Sequence, residues 1–184
     1  MIGRIGWTVA AGLALVAASA VAQEATKTIR AGGINFKAPE TWKTVPLRST
    51  MRKAQLEVEP VKGDGFPASL VVFVFPGGAG TVEANVTRWQ RQFVGSDGNP
   101  PKIESKTLKG KNTDVTLVET AGHYKPSPIP GAPPEPEREN ARLLGAIVTT
   151  DRYGYFLKMV GPDKTMTSIR PAFEDLLKSI EVEE

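Results

Sequence analysis

The sequence contains no cysteine and only one histidine, His123. The absence of cysteine excludes disulfide bonds, thiol catalysis and cysteine-ligated metal sites, so the burial of apolar surface must stabilise the fold. With a single histidine as well, a tightly held transition metal within one chain is not expected. We therefore predict no metal site and no cofactor.

An excess of charge of one sign is also missing. The 23 basic and 20 acidic residues give a formal net charge of +3, and the two signs are interspersed along the chain. A nucleic-acid-binding protein would be expected to cluster its basic residues on one face. The charge pattern therefore predicts that nucleic acid is not a partner.

The sequence has no apolar run of the length, about 20 residues, that a membrane-spanning helix needs. Arg4 precedes a short apolar run over residues 9–16, and Ala20-Val21-Ala22 forms a small-x-small motif. This arrangement is typical of a secretory signal peptide with cleavage before Gln23, and no lipid-anchoring cysteine follows it. We predict a signal peptide over residues 1–22, a periplasmic or secreted protein, and no stable membrane insertion after processing.

The stretch from Ser69 to Phe93 determines the predicted fold class. It begins with an apolar run of β-branched and aromatic residues, which is typical of a strand covered on both faces. A Pro-Gly-Gly turn follows. Four apolar residues then recur at the spacing of one helical face: Val82, Val86, Trp89 and Phe93. The stretch predicts a helix packed on a sheet, with Trp89 buried between them.

Further strands are predicted where apolar and polar side chains alternate. They cover residues 34–38, 51–61, 103–108, 113–121, 142–150 and 153–160. In the second of these strands, Glu57 and Glu59 lie on the face opposite Leu56 and Val58. We therefore expect both carboxylates to face solvent.

The last predicted element is a helix that starts at Asp163 or near Ser168, either of which could cap it. Pro171 lies inside the pattern if the helix starts at Asp163, and in the first turn if it starts near Ser168. Met166 and Ile169 belong to the same apolar stripe as Phe173, which favours one continuous helix kinked at the proline.

Residues 125–140 contain six prolines and almost no apolar side chains. Such a segment is not expected to pack on a core, and it is typical of a mobile or polyproline-like excursion. Because strand-like sequence lies on both sides, we interpret this Pro-rich segment as an insertion between neighbouring strands. A single domain over residues 23–184 would contain it.

The order of elements resembles that of a known family. Phe36-x-x-Pro39-x-x-Trp42 comes first, and a strand pair, the helix, a run of antiparallel strands and a closing helix ending in Leu-x-Lys-Ser-Ile follow. This resembles the PsbP-like family, which includes an extrinsic protein of the photosynthetic oxygen-evolving complex; a Ran-binding nuclear import factor shares the fold. The resemblance covers nearly all of residues 23–184. It implies an α+β fold, an antiparallel sheet with helices packed on both faces (an α/β/α sandwich), in an exported bacterial protein.

Two functional hypotheses follow from the sequence. In the first, the protein is a non-catalytic exported module that binds an envelope protein or component. In the second, it is a ligand-binding protein or hydrolase whose site lies between the sheet and the Pro-rich segment, formed by His123, Tyr124 and Arg138. No nucleophile motif accompanies His123. An apolar pocket with convergent polar groups beneath the segment would favour the second hypothesis, and a filled core with a flat surface would favour the first.

Overall fold

The structure is a computed structural model that describes residues 24–128 and 134–183. The predicted signal peptide, residues 1–22, lies outside the described residues. The described ranges have an α+β fold, with a large antiparallel sheet and two helices. Neither of these two helices is long and apolar enough to cross a membrane.

The two helices are α1 (Val82–Gln90) and α2 (Asp163–Lys178). The strands are β1 (Thr26–Arg30), β2 (Ile34–Pro39), β3 (Lys43–Thr44), β4 (Arg52–Val58), β5 (Ala68–Pro76), β6 (Phe93–Val94), β7 (Glu104–Lys109), β8 (Asp114–Tyr124), β9 (Arg138–Thr149), β10 (Tyr153–Pro162) and β11 (Glu181–Val182). The large sheet has the order β3-β4-β5-β10-β9-β8-β6, with β7 also paired to β8. A small sheet has the order β1-β2-β11.

Alternation along the central strands divides the core into two clusters. In β10, Tyr155 and Leu157 belong to one cluster, and Phe156 between them belongs to the other. Successive side chains of a strand point to opposite faces of a sheet, so the two clusters lie on different faces. The larger cluster, called the α2 cluster here, includes apolar side chains of α2 and of β2. The smaller, called the Trp89 cluster, includes Trp89 of α1.

Helix α1 begins after Thr81, whose hydroxyl oxygen accepts a hydrogen bond from the backbone N–H of Ala84 at 3.1 Å. The predicted burial of Trp89 is confirmed, because the residue is only 4% exposed. The expectation that the helix continues to Phe93 is wrong. The helix ends at Gln90, and Phe93 is buried in β6, which pairs with the end of β8.

Helix α2 runs without interruption from Asp163 to Lys178 and contains Pro171, so the predicted continuous helix is confirmed. The predicted capping residues are wrong. The N-cap position is occupied by Pro162, which makes no side-chain capping bond. Instead, a carboxylate oxygen of Asp64, from the loop before β5, accepts hydrogen bonds from the backbone N–H of Thr165 at 2.9 Å and from its hydroxyl at 2.5 Å.

Candidate functional site

A cavity of about 370 Å³ opens on the face of the large sheet that carries the Trp89 cluster. Side chains of β4, β5 and β10 form its floor, and residues of α1 and of the Pro-rich segment line its sides. Its volume falls in the range of small-molecule sites, which is roughly 300 to 1,000 Å³. A cavity beneath the Pro-rich segment is the feature that the second functional hypothesis requires.

Aromatic rings supply much of the apolar lining of the cavity: Phe66, Phe73, Phe75, Trp89 and Phe156. Phe73 and Phe75 are stacked, with ring centroids 6.4 Å apart. Phe156 meets Phe75 edge-on at 5.7 Å and Trp89 edge-on at 6.3 Å. Phe73 and Phe75 remain half-buried, so the cavity offers a ligand aromatic surface that the protein itself leaves uncovered.

Lys158 lies on the cavity face of β10, between Phe156 and Val160. Its ammonium group donates hydrogen bonds to the hydroxyl of Tyr124 at 2.8 Å and to the amide oxygen of Gln92 at 2.5 Å, and both acceptors are neutral. Burial lowers the pKa of Lys158 to about 8, and the nearby Glu135 carboxylate opposes this downward shift in part. The ammonium group is therefore a cation without a carboxylate in contact among the described residues.

Arg52, the first residue of β4, lines the cavity and is 3% exposed. One terminal nitrogen donates to the amide oxygen of Gln55 at 2.8 Å, and the other donates to a carboxylate oxygen of Glu135 at 2.6 Å. The second oxygen of Glu135 accepts from the hydroxyl of Tyr124 at 3.3 Å. Burial, followed by the Glu135 charge, raises the pKa of Tyr124 far above its usual range, so its hydroxyl stays a neutral donor. The Nε atom of Arg52 is buried and has no partner among the described residues.

Cations outnumber carboxylates around the cavity, with five basic and two acidic side chains. Each of the two carboxylates, Glu57 and Glu135, pairs with an arginine. Arg88, Arg138 and Lys158 have no carboxylate partner among the described residues, and Arg138 instead lies 4.5 Å above the ring of Phe66. The cavity therefore combines an aromatic floor with an excess of positive charge.

The structure brings together two of the three site residues predicted from the sequence. Tyr124 and Arg138 line the cavity. His123 does not line the cavity. Its two ring nitrogens each lie 2.9 Å from a carboxylate oxygen, one of Glu137 and one of Glu139.

The expectation that the Pro-rich segment does not pack is wrong for its described part. The Glu135 carboxylate accepts hydrogen bonds from two buried side chains, those of Arg52 and Tyr124. The hydroxyl of Ser127 accepts a hydrogen bond from the amide of Gln92 at 3.1 Å. Residues 138–140 belong to β9, so the connection between β8 and β9 is shorter than the composition indicates. The segment has almost no apolar side chains, but its described part packs through polar groups.

The expectation that Glu57 faces solvent is also wrong. Glu57 is half-buried and lines the cavity, 3.5 Å from Arg48, whereas Glu59 is exposed beyond the end of β4 and pairs with Lys43. The face of β4 opposite Leu56 therefore lines the cavity in part.

Sequence reasoning missed Lys158, Arg52 and Gln92 as site residues. The available signal was in β10, where Lys158 interrupts an otherwise apolar strand on the same face as Phe156. A charged residue at a core-facing position is rarely buried without a partner, so it marks a candidate site. No group of three or more His, Cys, Asp or Glu residues in the described ranges could hold a metal ion.

Comparisons with known proteins support the fold. Neither a family model nor a curated protein matches the sequence. Among solved structures, LpqN of Mycobacterium tuberculosis, involved in cell envelope biogenesis, matches with a TM-score of 0.54 and 11% identity over 87% of this chain and 91% of that one. The cyanobacterial PsbP (CyanoP) of Synechocystis matches with a TM-score of 0.54 and 12% identity over 91% of this chain and 98% of that one. At these identities the likeness concerns the fold alone, and the predicted fold-level resemblance to PsbP-like proteins is confirmed.

Proposed function

We propose that the protein is a non-catalytic ligand-binding protein that holds an amphipathic anion in the cavity beneath the Pro-rich segment. The observation that carries the proposal is the pairing of a partly exposed aromatic floor with three cations that lack carboxylate partners among the described residues. An apolar pocket with convergent polar groups favours binding of a small molecule over a flat protein-binding surface.

Each part of the cavity selects one part of the ligand. An apolar chain laid on Phe73 and Phe75 gains about 25 cal/mol for each Å² of apolar surface that it removes from water. An anionic group among the cations of the cavity, close to Lys158, gains favourable electrostatic interactions in a site of low dielectric constant. A neutral ligand of the same shape would cover the lysine without compensating its charge, and a cationic ligand would be repelled.

We further propose the setting in which this binding takes place. The chain would be exported after cleavage near Gln23, and residues 23–184 would form one domain in which α1 and α2 cover opposite faces of the large sheet. The membership of Trp89 and of the α2 side chains in separate clusters supports the second statement. The involvement of the structural neighbour LpqN in cell envelope biogenesis is compatible with an envelope location.

Calorimetric titration of the purified protein tests the proposed function. Decanoate, decyl phosphate, decanol and decyltrimethylammonium would be compared below their critical micelle concentrations. We expect the two anions to bind about tenfold or more tightly than the alcohol, which corresponds to about 1.4 kcal/mol, and the cation not to bind. Equal affinities for decanoate and decanol would contradict the proposal.

A matched pair of variants locates the binding. Lys158→Met keeps the length and apolar character of the side chain and removes the charge, so it should weaken decanoate binding strongly. Lys102→Met removes a lysine that is exposed outside the cavity and should leave binding unchanged. Equal effects of the two substitutions would place the anion elsewhere.

A further inference from the structure

One carboxylate is already held inside the cavity. Glu135 bridges Arg52 and Tyr124, two side chains that are almost fully buried, although its own side chain is 34% exposed. The carboxylate comes from the Pro-rich segment, 83 residues away from Arg52 along the chain. The arrangement therefore pairs a buried cation of the sheet with a partly exposed anion of a connecting segment.

We propose that Arg52 and Tyr124 form the carboxylate subsite of the ligand, and that Glu135 occupies this subsite in the free protein until the ligand carboxylate replaces it. The inference rests on the proposed function and adds to it the position and the chemical class of the anionic group. It assigns to Glu135 the role of an internal competitor.

The buried Arg52 needs a carboxylate partner both in the free protein and in the complex with the ligand. A buried guanidinium that loses its partner carries an uncompensated charge, at a cost of several kcal/mol. Glu135 meets this requirement when the cavity is empty, and the ligand carboxylate meets it when the cavity is filled. The exchange therefore replaces one ion pair by an equivalent one, and the apolar chain of the ligand supplies the net gain.

The geometry of the donors fits a carboxylate. One oxygen of Glu135 accepts from Arg52 at 2.6 Å and the other accepts from Tyr124 at 3.3 Å, so each oxygen of a planar group has its own donor. The hydroxyl of Tyr124 also accepts from Lys158 at 2.8 Å, which orients its proton toward the carboxylate. A ligand carboxylate in this position lies at the end of a chain of hydrogen bonds that starts at the ammonium group.

Glu135 can leave the subsite by rotation of its side chain. Pro134 and Pro136 flank it, and a proline ring fixes its own φ angle, which restricts the backbone on both sides. The partly exposed carboxylate regains hydration when it turns outward, so its release costs less than the release of a fully buried ion. The exchange needs no change in the strands of the sheet.

Substitution of Glu135 tests the inference, with Glu137→Gln as the matched control. Glu135→Gln removes the competing charge and leaves Arg52 without a carboxylate, so we expect the affinity for decanoate to rise at least about tenfold, which corresponds to about 1.4 kcal/mol or more. Glu137 pairs with His123 outside the cavity, and its substitution should leave the affinity unchanged. Thermal unfolding of the Glu135→Gln protein should show a larger increase in Tm on addition of decanoate than the wild type shows.

A second variant probes the other donor. Tyr124→Phe removes only the hydroxyl group, so decanoate binding should weaken several-fold while decyl phosphate binding changes less. Suppose that the wild type binds decanoate. An equal or lower affinity in Glu135→Gln, or an unchanged affinity in Tyr124→Phe, would then overturn this inference and leave the proposed function standing. Failure of both the wild type and the folded Glu135→Gln protein to bind any of the anions would overturn both.

Discussion

Lys158 is the residue whose charge state should control binding. Burial lowers its pKa from 10.5 to about 8 in the folded protein, so the ammonium group loses its proton in the mildly alkaline range while an alkyl carboxylate stays ionised. Protonation favours anion binding, and the affinity for decanoate should therefore fall as the pH rises from about 7 to about 9. Calorimetric titration at several pH values measures this dependence.

The control for this prediction is Lys158→Arg, which keeps its charge throughout the range because the guanidinium group is not deprotonated in proteins. The slope of affinity against pH should be smaller in this variant than in the wild type. A wild-type affinity that is constant over the range would contradict the role assigned to the ammonium group.

Gly145 and Trp89 are in contact, and the coupling of their contributions to the free energy of unfolding can be measured. A Cβ atom at Gly145 would lie 2.3 Å from the Trp89 ring, so the indole packs directly on the backbone of β9. Trp89→Ala should lower the free energy of unfolding by about 3–5 kcal/mol. Gly145→Ala should also destabilise the wild type, but much less in the Trp89→Ala background, because the clash has been removed.

Chemical denaturation of the two single variants and the double variant gives the coupling energy. Gly65→Ala serves as the control, since a Cβ atom at Gly65 meets no atom within 4 Å. Additive effects of Gly145→Ala and Trp89→Ala would show that the ring does not lie on β9.

At the scale of elements, the start of α2 depends on a residue that is distant in sequence. Asp64 accepts hydrogen bonds from the backbone N–H and the hydroxyl of Thr165, in the first turn of the helix. Asp64→Ala should lower the free energy of unfolding by about 1 kcal/mol, the usual loss for a helix cap. Denaturant titration should show a clearly smaller loss for Asp151→Ala, at an exposed turn. Equal losses would mean that Asp64 does not cap α2.

The same element shows what the sequence could and could not predict. The apolar stripe of α2 predicts a continuous helix through Pro171, because periodicity is a local property. The capping carboxylate comes from a loop 101 residues away, and no local pattern indicates it. For the same reason the sequence does not predict β3 and β6, each of which has two residues and pairs with a longer strand.

The candidate site was predictable only in part. Tyr124 and Arg138 could be placed near the Pro-rich segment because they adjoin it in sequence. Alternation in β4 separates the face of Gln55 from the face of Leu56, but it does not tell which structure covers each face. The cavity lies on the face that alternation assigned to solvent. The contact between Glu135 and Arg52 depends on how a proline-rich backbone passes over the sheet, which composition does not determine.

At the scale of the whole molecule, export remains a prediction from residues 1–22. The positive residue, the short apolar run and the Ala-Val-Ala motif predict removal of this segment during secretion. Mass spectrometry of the soluble protein purified from its native host should therefore find a chain that begins near Gln23. A soluble mature form that retains Met1 would contradict the prediction.

The central claim is that the whole molecule serves to hold an amphipathic anion in one cavity, and a crystal structure grown with saturating decanoate tests it most directly. The account predicts an alkyl chain on the rings of Phe73 and Phe75, with its anionic group among the cations of the cavity. An empty cavity under these conditions, or decanoate bound only on the outer surface, would contradict the account.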